Sequence, residues 1–101
     1  MNTFTKLYVD DERNTPEGWD RAYNVWEALF KLELLQYKEL SLDHDLNSFL
    51  GPYKELTGYD IVQWLVQRKL DGKYIPPIIT IHSANPVGAK NMQELIDRYL
   101  K

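Results

Sequence analysis

Cysteine is absent from the 101 residues, which excludes disulfides, thiolate zinc sites and thiol chemistry. A cysteine-free chain suits a reducing compartment, so a cytoplasmic location is the expectation. No run approaches the ~20 apolar residues that a membrane span needs. Residues 1–5, MNTFT, lack the basic start and apolar stretch of a secretory leader. A basic stripe is missing as well. The net charge is −3 and the lysines and arginines are scattered, which speaks against duplex DNA as a partner, because that binding rests on neutralising phosphates. A small phosphorylated ligand stays compatible with this charge if a metal ion supplies positive field. There is no repeat, no low-complexity tract and no linker, so residues 1–101 read as one domain. Its oligomeric state is left open.

What is present must build a thin core, since a domain of this size buries only about two-thirds of its unfolded surface. Aromatic residues make up 13% of the chain, and Trp19, Trp26, Trp64 and the tyrosines are expected to fill that core. Lys6-Leu7-Tyr8-Val9 reads as a first strand and Asp20-Arg21-Ala22-Tyr23 as a weak second one at an edge. Asn24, with Glu27 three residues on, opens a helix whose inner face is Val25, Ala28, Leu29, Leu32 and Leu35. Glu39-Leu40-Ser41-Leu42 is the third strand, followed by a polar loop through Gly51-Pro52. Thr57-Gly58-Tyr59-Asp60 has the form that starts helices, Ile61, Val62, Leu65 and Val66 give that helix its stripe, and Gly72 ends it. Pro76-Pro77 leads into Ile78-Ile79-Thr80-Ile81, a β-branched run that reads as a buried central strand. Asn85-Pro86 opens the last helix, with Met92, Leu95, Ile96 and Tyr99 inward. Strands separated by helices imply parallel pairing with right-handed crossovers. The link between the first two strands, roughly 10 residues, is short for a crossover and predicts a loop or a single helical turn.

Three polar clusters stand directly after three strands: Asp10-Asp11-Glu12-Arg13, Asp43-His44-Asp45 and His82-Ser83-Ala84-Asn85. A parallel sheet gathers such strand ends, and ligands bind beyond them. Asp10 and Asp11, joined by Asp43 from the neighbouring strand end, form an oxygen-rich, cysteine-free set suited to Mg²⁺ or Mn²⁺; the alternative is a solvated acidic turn capped by Arg13. Asp43 and Asp45 flank His44 and fix its tautomer, which suits acid–base work near neutral pH; the alternative is a histidine packed under the loop. His82 can be a second acid–base group or a metal ligand, against a core histidine bonded to a backbone carbonyl. Ser83 and the helix start after Asn85 suit a phosphate, although Asn85 also reads as an N-cap. Arg13, Asp45 and Thr57 complete the candidate substrate contacts. Phe49 and Tyr53, in the loop 46–56, belong either to a lid that stacks on a base or to a plain surface excursion.

Taken together, Val9-Asp10-Asp11-Glu12-Arg13, Leu42-Asp43-His44-Asp45, Thr57-Gly58-Tyr59-Asp60 and His82-Ser83-Ala84-Asn85-Pro86 resemble the cyclic-phosphate-processing receiver-like domain, a compact relative of response-regulator receivers found in bacteria and phages. The resemblance runs from Lys6 to about Tyr99. It implies a receiver-like (flavodoxin-like) three-layer α/β sandwich of about four parallel strands in the order 2-1-3-4, with the first helix reduced and no fifth strand. It also implies a role on cyclic phosphates, including RNA 3′ ends. Asp10 and Asp11 correspond to the receiver's metal-binding acids, Asp43 to its phospho-accepting aspartate and Ser83 to its Ser or Thr. The lysine of the fifth strand has no counterpart, which ranks a phospho-accepting switch last.

Two function classes follow. One is a metal-assisted phosphoesterase for 2′,3′-cyclic phosphate RNA ends or cyclic nucleotides, in which Asp10, Asp11 and Asp43 hold Mg²⁺ or Mn²⁺ while His44 and His82 divide acid and base roles. A covalent variant would use Asp43. The other is a non-catalytic binding module for a cyclic nucleotide or a protein partner, as a phage effector would be.

Overall fold

The computed structural model describes residues 5–72 and 74–101. Residues 1–4, where the sequence predicts no leader, lie outside them. The elements run β1 (Lys6–Val9), β2 (Asp20–Ala22), α1 (Val25–Leu34), β3 (Glu39–Leu42), β4 (Ser48–Leu50), β5 (Lys54–Leu56), α2 (Gly58–Leu70), β6 (Ile78–Ile81) and α3 (Pro86–Tyr99). Four strands form one parallel sheet in the order β2-β1-β3-β6, which is the 2-1-3-4 order of a compact receiver-like α/β fold. No helix of the described residues is long and apolar enough to cross a membrane.

Strand alternation divides the sheet into two unlike faces. Leu7, Val9, Leu40, Leu42 and Ala22 turn to one side and are fully buried with Val25, Ala28 and Leu32 of α1, Ile61, Val62 and Leu65 of α2, and Met92 and Ile96 of α3. All three helices therefore share that face and that core. The opposite face carries Lys6, Tyr8, Arg21, Glu39 and Ser41. Its covering layer is thinned to the loop 11–19, in which Trp19 stands edge-on to Tyr8 at 6.3 Å and under the Lys6 ammonium at 5.4 Å.

Local signals explain the helix starts. Asn24 Oδ1 accepts from Glu27 N–H at 2.8 Å, and Thr57 forms a complete capping box with Asp60. Asn85 caps α3 by accepting from Gly88 N–H at 3.0 Å. Three readings of the sequence need correction. The Ile78–Ile81 run is not central: β6 is an edge strand, and Ile78 is 75% exposed. A β-branched run reports extended backbone rather than burial: no described strand lies beyond β6, and Ile78, paired with Glu39, stands on the sheet face that no helix covers. The tryptophans are not the core: Trp26 is half-exposed on the outer ridge of α1, while Trp19 and Trp64 are only partly buried. The polar loop after β3 contains an antiparallel hairpin, β4–β5. Its base is tied to α1 by buried Ser48, whose Oγ accepts from Val25 N–H at 3.1 Å and donates to Leu46 O at 3.0 Å.

Candidate functional site

The carboxyl ends of β1, β3 and β6 open onto a crevice of about 220 Å³ lined by Asp10, Asp11, Glu12, Arg13, Asp43, Asp45 and Ala84. Register places these residues there: β1 and β3 pair through Val9↔Leu42, and β3 and β6 through Leu42↔Ile81. The next residues, Asp10, Asp43 and His82, thus emerge side by side. One ligand atom of each lies within 4.8 Å of the others.

Asp10 is buried, 1% exposed. Its Oδ1 accepts from the N–H groups of Glu12 (2.7 Å) and Arg13 (2.8 Å), and its Oδ2 faces His82 Nε2 at 3.0 Å. Burial works to raise its pKa, but the Arg13 and Glu12 amides and then His82 outweigh it, so Asp10 titrates below the ordinary carboxylate value. Asp43 moves the other way. Burial raises it and the Asp10 charge adds to the rise, against hydrogen bonds from His44 N–H and Ser83. A crowded carboxylate pair with an imidazole alongside is a donor set that a divalent cation of the Mg²⁺ or Mn²⁺ type fits.

His82 has both ring nitrogens engaged. In the neutral ring, Nε2–H donates to Asp10, and Nδ1, 2.6 Å from Ser41 Oγ, accepts from that hydroxyl. The ring stacks on Tyr8 at 4.3 Å and 3°. His44 is held otherwise. Its Nδ1–H donates to Asp45 Oδ1 at 2.9 Å, the tautomer that leaves Nε2 with its lone pair. Nε2 has no partner among the described residues. His44 lines not the acidic crevice but a second opening, a groove of about 800 Å³ between α2 and α3.

The remaining candidates sort by position. Asp11, Arg13 and Asp45 line the crevice, though Asp11 is not one of the three converging ligands. Ser83 bonds Asp43 and accepts from Asn85 N–H at 3.1 Å. Asn85 caps α3 and donates to Asp45 Oδ2 at 3.4 Å. Thr57 caps α2 and lines neither opening, nor do Phe49 and Tyr53.

Three features escape the motif reading. Arg21 braces the β1–β2 loop: Nε and Nη2 donate to Asp10 O at 3.0 and 2.6 Å, and Nη1 to Arg13 O at 2.5 Å and Thr15 Oγ1 at 2.8 Å. Tyr23 flanks its guanidinium at 4.3 Å. Ser41 orients His82. Gly58 and Gly88 are cut to fit: a Cβ on Gly58 would meet Asp43 O at 2.1 Å, and one on Gly88 would meet His44 Cδ2 at 2.4 Å. The outward register of Arg21 and Ser41 on their strands was the one available signal for those two.

A family model described as the cyclic-phosphate processing receiver domain matches residues 5–98. Comparison with curated proteins and with solved structures gave no match.

Proposed function

The chain belongs to the cyclic-phosphate processing receiver domain family, and we propose from that premise that it hydrolyses cyclic phosphates, nucleoside 2′,3′-cyclic phosphates or RNA ends of that form, with a divalent cation. The observation that carries this reading is the convergence of Asp10, Asp43 and His82 within 4.8 Å at the ends of three parallel strands. Asp10 and Asp43 would hold Mg²⁺ or Mn²⁺, with Asp11 at the same crevice. Held there, the cation would supply positive charge to offset that of the phosphoryl group.

The residues divide the remaining work. Arg13, at the crevice, and the Val87 N–H in the first turn of α3 offer donors to phosphate oxygens, while the Ser83 hydroxyl is already given to Asp43. His82, bonded on both sides, orients the Asp10 carboxylate, so it is a positioning residue. His44, with Nε2 free, moves the proton. A water oxygen bonds to phosphorus as one ring P–O bond breaks; Nε2 takes the proton from the water and returns it to the ring oxygen that leaves. Asp45 keeps the His44 tautomer fixed throughout.

The test is steady-state hydrolysis of 2′,3′-cyclic mononucleotides beside equilibrium binding of the same compounds. His44→Gln is expected to lower turnover by about 10²–10⁴-fold, the usual range for a lost proton-transfer group, with binding retained. Turnover absent from the native protein, with binding lost equally on every site substitution, would favour a binding module.

A further inference from the structure

We propose that the groove between α2 and α3 is a nucleobase subsite, so that the ligand is a nucleoside cyclic phosphate gripped at both ends. This inference rests on the function proposed above and extends it to residues outside the acidic crevice. The groove, about 800 Å³, is lined by His44, Tyr59, Asn91, Glu94, Leu95 and Arg98, among others. It falls within the ~300–1,000 Å³ of small-molecule sites.

Its chemistry matches a base better than a lipid or a bare anion. Tyr59 and Leu95 are partly buried against the core and offer an aromatic ring and an apolar wall for a planar ring. Base stacking on such a ring is a sequence-tolerant source of affinity, because every base has a π-face. Asn91, Glu94 and Arg98 succeed one another along α3 at helical spacing and supply an amide, an acceptor and a donor fork toward base edges. None of these three side chains, nor the Tyr59 hydroxyl, makes a hydrogen bond or ion pair with another described residue. Asp97, which also lines the groove, is engaged instead by Lys101 at 2.9 Å and Gln93 at 2.8 Å.

The groove and the crevice are one residue apart. Asp45 lines the crevice and His44 the groove, and consecutive Cα atoms are about 3.8 Å apart. A ligand with phosphate in one opening and base in the other would cross this seam with its ribose, beside the imidazole assigned to proton transfer. The seam is rigidly built: His44 is bonded to Asp45 on one side and seated against Gly88 of α3 on the other.

The experiment is an NMR titration of the native chain, with Tyr59 ring and Leu95 methyl signals as reporters of the groove. The probes are adenosine, 2′,3′-cyclic AMP and a base-free five-membered cyclic phosphate. Adenosine and the cyclic nucleotide are expected to shift both reporters, and the base-free ring neither. The nucleotide is expected to bind at least tenfold more tightly than the base-free ring, and Tyr59→Leu and Arg98→Ala to shrink that preference toward unity. Equal affinity of the native chain for both cyclic phosphates, or no reporter shift with nucleotide bound, would overturn the subsite. Reporter shifts without any turnover would keep the subsite and remove the phosphoesterase.

Discussion

The His44 imidazole sits directly against Gly88 of α3, so close that a single methyl on Gly88 would meet His44 Cδ2 at 2.4 Å. Alanine normally stabilises a helix interior over glycine by roughly 0.5–1 kcal/mol. Here the sign inverts. Gly88→Ala should destabilise by about 1–3 kcal/mol, the range for forced overpacking, whereas the same change in a His44→Ala background should be neutral or stabilising. Urea unfolding of the four proteins in this double-mutant cycle measures the coupling. Additive effects would mean that the ring simply moves aside.

Thr57 belongs to the fold of α2. Its hydroxyl accepts from Tyr59 N–H at 3.2 Å and its N–H donates to Asp60 Oδ2 at 2.8 Å. Thr57→Ala should cost about 0.5–2 kcal/mol, as lost N-caps do, and Thr57→Ser should recover most of it. Thermal melts check the first effect, and turnover per folded molecule should be unchanged in both variants.

Asp20 sets an acid limit on stability. Burial raises its pKa, but the Tyr37 hydroxyl at 2.5 Å, Lys31 at 3.1 Å and the Arg21 amide outweigh that and hold it below the usual carboxylate value. A depressed folded pKa contributes stability that is present above the unfolded value of about 3.9 and is lost as pH falls through the folded one. Asp20→Asn should therefore cost about 1–3 kcal/mol at pH 7. The gap between variant and native chain should close as pH drops below about 4. A gap that stays constant in urea titrations from neutral to acid pH contradicts the assignment.

Arg21 should matter to the crevice without entering it. Its planar fork spans Asp10 O, Arg13 O and Thr15 Oγ1, a geometry that lysine cannot reproduce. Arg21→Lys is expected to weaken Mn²⁺ binding about 10–100-fold, the range for residues that orient ligands, with far-UV circular dichroism retained. Water proton relaxation in an Mn²⁺ titration reads this directly.

Much of this was legible from periodicity and strand-end chemistry. Val9-Asp10, Leu42-Asp43 and Ile81-His82 each switch from apolar to polar at a strand end, and a parallel register alone then brings Asp10, Asp43 and His82 together. The β4–β5 hairpin was not legible, because Ser48-Phe49-Leu50 and Lys54-Glu55-Leu56 are too short to show alternation and are held by Ser48 across the chain at Val25. The edge position of β6 was hidden because β-branched residues serve edge and centre alike. The separation of the two histidines, the Arg21 brace and the fitted glycines are contacts between residues distant in sequence, which one-dimensional spacing does not encode.

The central claim is most directly tested by phosphorus NMR of the chain with 2′,3′-cyclic AMP, run with Mg²⁺, with Mn²⁺ and with chelator, beside Asp43→Asn. The cyclic-phosphate signal is expected to give way to a phosphomonoester signal only when cation is present, and Asp43→Asn is expected to leave the cyclic signal intact. A cyclic signal that persists with the folded native chain under every cation condition, or one that vanishes equally in chelator, would contradict it.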